Sequence, residues 1–246
     1  MRTLTISDPS LVGRRTDAPP ALSDVFGCWW ATDLALSDND LVASWTDHQS
    51  LIAVTASGSA RPTYKTAGLG GRPSVLFGGS QDLFTTSAIP GSSSGTVIAV
   101  ASFASFTASR VIWAATPATL TEYMAGFATD SKAVAVQRAG GGRLRTVGDT
   151  TLTASTAYML EWTGEPSAYT LRVNSHTESL SGGSNDGQWF DKASRSRFVV
   201  GSLRDGGSIW VPHIGHIAYL LVMNRPITSG ERSAVASWVA AYYGVT

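Results

Sequence analysis

The chain has 246 residues, of which 43% are hydrophobic and 15% charged, enough apolar material for a sizeable core and too much for intrinsic disorder. Its 18 basic residues balance 18 acidic ones, so no net field draws it to nucleic acid or to an anionic membrane. The single cysteine, Cys28, excludes an intrachain disulfide framework and any zinc site built on several thiolates.

Residues 1–24 have no core-forming period and carry Pro9, Pro19, Pro20 and the pair Arg14 and Arg15. They read as an extended arm that lies on its own domain or on a neighbour, with Arg14 and Arg15 as candidate assembly contacts. The arm contains no apolar stretch of signal-peptide length, and no run in the chain approaches the roughly 20 residues of a membrane span. From residue 25 to residue 246 no linker divides the chain, which predicts one domain.

Short runs rich in Val, Ile, Thr and aromatics follow one another from Phe26 onward, among them 74–77, 96–103, 110–115, 122–128, 132–138, 158–163, 169–174, 197–202 and 214–224. Each has the length and composition of a strand. Gly140, Gly141 and Gly142 join two runs as a hairpin would, and Asn174-Ser175 suits a tight turn with positive φ. The pattern predicts an all-β, two-sheet antiparallel sandwich. One helix is predicted, at the C-terminus. There Thr228 and Glu231 have capping-box spacing, Gly244 supplies the stop, and Val235, Trp238, Val239 and Tyr242 form an apolar stripe that must dock on the sheet.

Catalytic patterns are missing. Glycoside hydrolysis needs two carboxylates about 5–9 Å apart. None of the five glutamates (Glu122, Glu161, Glu165, Glu178, Glu231) has an acidic partner two residues away. Glu161 and Glu165 flank a strand end and are expected in a solvated turn. There is no Gly-x-Ser-x-Gly elbow, and Cys28 sits beside Trp29 and Trp30 with no nearby His. His213 and His216 are three apart, which on a strand places them on opposite faces, so no metal and no cofactor is expected.

What remains is two polar loops with tryptophans, 181–191 and 204–210. An aromatic ring against the apolar face of a pyranose, with acid and amide groups bonding its hydroxyls, is a common way to hold a sugar. Asp186 and Trp189 in the first loop, and Asp205 and Trp210 in the second, are therefore the candidate ligand-binding residues. The reading that both rings fold back on the sandwich edge is the preferred one at this point. Trp29, Trp30, Trp45, Trp113 and Trp162 lie in strand-like runs and are assigned to the core, with Trp29 and Trp30 on opposite faces.

Several segments together resemble the concanavalin A-like, or laminin G-like, jelly-roll domains of bacteriophage virion proteins and some secreted bacterial proteins. They are Trp30-Ala31-Thr32-Asp33, 42–47 ending in Trp45-Thr46-Asp47, Arg61-Pro62-Thr63-Tyr64, 73–83 around Phe77-Gly78-Gly79, and 216–227 leading into the helix. Gly78 stands where the family usually has an Asp, so no ligand role is carried over to it. The opening arm is similar to those of minor tail proteins of phages with GC-rich actinobacterial hosts. The resemblance implies a non-enzymatic virion structural protein, at the tail tip or capsid exterior, with other virion proteins and copies of itself as partners. Host-surface glycans are a candidate ligand of its outward sandwich. The alternatives are a free carbohydrate-binding module or lectin and, third, a divergent glycoside hydrolase.

Overall fold

The computed structural model describes residues 17–246 apart from 88, 90, 118–122, 140–141, 184, 186, 188, 192–195 and 206–207. Arg14, Arg15 and Asp186 lie outside the described residues. In chain order the strands are β1 (Val25–Trp30), β2 (Ser44–Thr46), β3 (Ala53–Thr55), β4 (Thr63–Leu69), β5 (Arg72–Gly78), β6 (Leu83–Thr85), β7 (Gly95–Ala101), β8 (Arg110–Thr116) and β9 (Tyr123–Thr129). They continue with β10 (Lys132–Ala139), β11 (Gly142–Thr151), β12 (Tyr158–Glu165), β13 (Ala168–Val173), β14 (His176–Thr177), β15 (Arg197–Val200), β16 (Ser202–Asp205), β17 (Ser208–Pro212) and β18 (Ile214–Met223), and helix α1 (Ser229–Tyr243) closes the chain.

Two eight-stranded antiparallel sheets face each other. The first runs β14-β13-β12-β7-β18-β5-β4, with β1 also pairing to β18, and the second runs β11-β10-β9-β8-β15-β6-β3-β2. The hairpin β16-β17 forms a small sheet of its own. The core between the sheets is aromatic: Trp29 stacks on Phe198 at 5.5 Å between ring centroids, and Phe198 in turn on Trp113 at 6.3 Å.

Alternation sends successive side chains of the first sheet to two different apolar surroundings, which explains why its strands read as nearly continuous hydrophobic runs. Val97, Ala99, Leu160 and Trp162 enter the core between the sheets, whereas Ile98, Val100 and Met159 face helix α1. Trp29 and Trp30 divide in the same way. Trp30 is buried on the helix side and donates its indole N–H to the Tyr243 hydroxyl at 3.1 Å.

Helix α1 has the expected ends. Thr228 accepts from the Glu231 N–H, Glu231 returns a bond to the Thr228 N–H, and Gly244 takes the left-handed conformation with φ 71°. Its stripe of Val235, Trp238, Val239 and Tyr242 is buried on the outer face of the first sheet. The described end of the arm lies against this helix, since the Trp238 indole donates to the Asp17 carbonyl at 3.1 Å and Leu22 packs on the same cluster. No helix among the described residues is long and apolar enough to cross a membrane.

Candidate functional site

On the outer face of the second sheet, Val111 and Ala114 from β8 and Tyr123, Ala125 and Phe127 from β9 form a third apolar cluster. The β16-β17 hairpin packs here, with Leu203 buried in the cluster and Val211 against it. A buried carboxylate anchors the hairpin: Asp82 accepts from the Ser202 hydroxyl at 2.8 Å and from Arg204 Nη1 at 3.2 Å. Burial raises the Asp82 carboxyl above its ordinary range, while Ser202 and the guanidinium groups of Arg204 and Arg197 oppose that rise. Arg204 also lies over the Phe84 ring at 4.8 Å, a cation–π contact that holds the guanidinium in place.

This anchored hairpin carries a β-bulge. Leu203 pairs with Val211 and Arg204 with Ile209, so Trp210 is the extra residue between them. A bulge re-aims a side chain out of the regular alternation, and Trp210 is 53% exposed. The other seven of the eight tryptophans in the sequence are buried. Asp205 ends β16 opposite Ser208 and is exposed at the hairpin tip, one strand across from Trp210.

Trp189 requires a correction. It is fully buried in the core between the sheets, beside Trp113 and Phe190, and presents no face to a ligand. The reason lies in two facing glycines. Gly95 and Gly164 are partners across β7 and β12. A Cβ on either would fall 2.2 or 2.1 Å from the Trp189 ring, so the pair opens a seat that only their lack of a side chain allows. Of the proposed ligand residues described here, the structure brings Asp205 and Trp210 onto one hairpin and places Trp189 elsewhere.

Of the two glutamates expected in a solvated turn, Glu165 is exposed beside the β12–β13 turn as expected, but Glu161 is not. Glu161 is completely buried on the helix side of β12, where it bonds Arg172 at 2.8 Å and Arg232 at 2.9 Å. Glu165 lies exposed four residues further along the strand, which corresponds to about 13 Å at the usual rise. That exceeds the separation a glycosidase acid pair needs.

His213 is enclosed between Phe77 and Phe103 at 5.9 and 5.3 Å, and His216 bonds the Ser74 hydroxyl at 2.9 Å. The two rings therefore serve separate surroundings. A cleft of about 490 Å³ lies near Asp33 and His48. These two residues bond each other at 2.9 Å. The neighbouring Asp47 is spent on the N–H groups of Gln49, Ser50 and Ile52. No Trp, Tyr or Phe lines this cleft, so the hairpin is the better-equipped surface for a sugar ring.

No protein-family profile matches the chain, and no curated protein matches it by sequence. Solved structures do. The carbohydrate-binding module (CBM40) of the Ruminococcus gnavus IT-sialidase, bound to α2,3-sialyllactose, is 12% identical with a TM-score of 0.57, the likeness covering 66% of this chain and 95% of the module. The Trypanosoma rangeli sialidase is 10% identical with a TM-score of 0.57, over 92% of this chain and 34% of that one. A leech intramolecular trans-sialidase is 13% identical with a TM-score of 0.53, over 70% of this chain and 27% of its own. At these identities the likeness establishes the fold, a jelly-roll β-sandwich shared with sialidase carbohydrate-binding modules. This chain spans nearly all of the module but about a third or less of the two sialidases. The virion resemblance read from the sequence has no counterpart among these structures.

Proposed function

We propose that the chain is a non-catalytic carbohydrate-binding domain in which Trp210 stacks on a sugar ring and Asp205 bonds its hydroxyls. One observation carries this reading: a tryptophan held out of the core by a bulge, on a hairpin fixed by the buried Asp82 carboxylate. A rigid aromatic face supplies contact area at low entropic cost, and an adjacent carboxylate supplies acceptors. The structural neighbours support the glycan-binding reading over the virion structural role placed first from the sequence, because the module matched along 95% of its length was solved on a sialylated glycan. The buried, ion-paired Glu161 and its distance from Glu165 support the absence of catalysis.

The test is calorimetric titration of the chain with α2,3-sialyllactose, α2,6-sialyllactose and lactose, the last separating an acidic-sugar preference from recognition of the neutral core. Trp210→Ala is expected to weaken binding at least tenfold with an unchanged thermal midpoint, since the ring is exposed and its removal opens no cavity. Binding that survives the substitution undiminished would move the site away from the hairpin. A chain that binds none of the three sugars at millimolar concentration would overturn the reading.

A further inference from the structure

The free edges of the two sheets meet at a seam that contains an unusual side-chain group. Asp149 on β11, at the edge of the second sheet, faces His176 on β14, at the edge of the first, and Glu178 just beyond it. One ligand atom from each of the three lies within 4.8 Å of the others. Backbone contacts fix the seam: Val147 and Ser181 form an antiparallel bridge, the Ser179 N–H donates to Asp149 Oδ1 at 3.1 Å, and the Glu178 N–H donates to the Leu171 carbonyl at 2.9 Å.

Four carboxylates are buried among the described residues, and their partners differ. Asp82 and Glu161 have arginines. Asp47 accepts three backbone N–H groups and the Ser50 hydroxyl. Glu178 accepts from the Thr150 N–H at 2.6 Å and the Thr150 hydroxyl at 2.5 Å and shares a side-chain hydrogen bond with a second carboxylate, Asp149, with no Lys or Arg ion pair among the described residues. Gly148 leaves room for this carboxylate, since a Cβ there would fall 2.6 Å from Glu178 Oε2. The nearby Lys132 ammonium is occupied by the Asp149 backbone carbonyl and the Thr151 hydroxyl. Two carboxylates in contact cannot both ionise without cost unless a positive charge joins them, and the one nearby candidate is His176, whose Nε2 lies 3.9 Å from Asp149 Oδ1.

We propose that Asp149, His176 and Glu178 form a site for one first-row divalent cation of the zinc type, which clamps the two sheet edges together. Bonds of about 2.0–2.1 Å to a tetrahedral ion put donor atoms about 3.3 Å apart. Asp149 and His176 are both exposed, so side-chain rotation can close the remaining gap without repacking the core. One imidazole with two carboxylates is a donor set for zinc or cobalt, whereas calcium takes six to eight oxygens and has no use for the nitrogen. Water completes the coordination.

The experiment uses the tag-free chain, stripped with a chelator and titrated with Co²⁺ under visible absorption and with Zn²⁺ by calorimetry. Saturation at one equivalent per chain, displacement of Co²⁺ by Zn²⁺, and a thermal midpoint that rises with metal are expected. His176→Ala and Asp149→Asn, both at exposed positions that leave the fold intact, should each weaken binding at least tenfold, whereas His48→Ala should not change it. Failure to saturate, undiminished affinity in the first two variants, or loss in the His48 variant would overturn the site. Displacement of Co²⁺ by an equal concentration of Ca²⁺ would overturn the assignment of a first-row ion.

Discussion

Replacing Glu161 with Ala is expected to remove about 3 kcal/mol or more of folding stability, because deleting one partner of a buried ion pair leaves the other charges uncompensated. Glu161 has no exposed surface and accepts from Arg172 Nη1, Arg232 Nε and the Thr163 hydroxyl. Arg232 belongs to helix α1 and Arg172 to β13, so one carboxylate ties the helix to two strands of the first sheet. Without it, two mostly buried guanidinium groups are left close together. Arg232→Ala should cost less, since Arg172 still neutralises the carboxylate and the vacated side chain is itself partly exposed. Urea unfolding followed by tryptophan fluorescence measures both. A loss below about 1 kcal/mol for Glu161→Ala would mean that water reaches the cluster and screens it as it does surface pairs. The change is one of stability: a catalytic carboxylate would instead be removed at little cost to the fold.

The parts of this architecture that were legible in the sequence are those set by local chemistry. The helix could be bounded to the residue because Thr228, Glu231 and Gly244 each act within one turn of its ends. Strand existence was legible from composition, and the left-handed Asn174, φ 56°, was legible from its turn. Partnership was not. Strand β7 bonds to β12 and to β18, the latter more than a hundred residues away, and no local signal names either. The misplacement of Trp189 has the same origin. The run that precedes it, 184–188, is polar, and its seat is made by Gly95 and Gly164, which become a pair only once the register of two distant strands is known. Exposure of Trp210 depends on a bulge, a shift in pairing that the residue string does not encode. Glu161 did carry a signal, a lone acid between Leu160 and Trp162 in a strand apolar on both faces. Such an acid needs buried cationic partners, and these came from β13 and from a helix 71 positions further on.

Acid should unfold this protein through His213. The ring is wholly enclosed, and burial pushes its pKa down from 6.5 to about 3. Backbone groups of His216 and Ser102 lie near enough to favour the charged ring, but among the described residues neither ring nitrogen reaches a well-formed hydrogen bond, and Arg110 and His216 disfavour a further positive charge. In the native state the ring therefore stays neutral down to about pH 3, while in the unfolded chain it takes a proton near pH 6.5. Above pH 6.5 neither state is charged, and this residue's stability contribution is fully present. Below it the unfolded chain binds a proton that the native chain cannot, so stability falls by about 1.4 kcal/mol per pH unit until the native pKa is reached. The whole loss is roughly 5 kcal/mol. His213→Phe, which keeps an aromatic ring between Phe77 and Phe103, removes this term. The carboxylates, such as Glu231, held near 2 mainly by Arg225, remain the same in both proteins. The stability difference between variant and natural chain, taken from urea titrations at pH 7 and pH 4, should shift by about 3 kcal/mol in favour of the variant at the lower pH. A difference that stays constant across that range would mean that His213 accepts its proton as readily inside the sandwich as outside it. The pocket between the two phenylalanines would then have to open to water far more often than its packing allows.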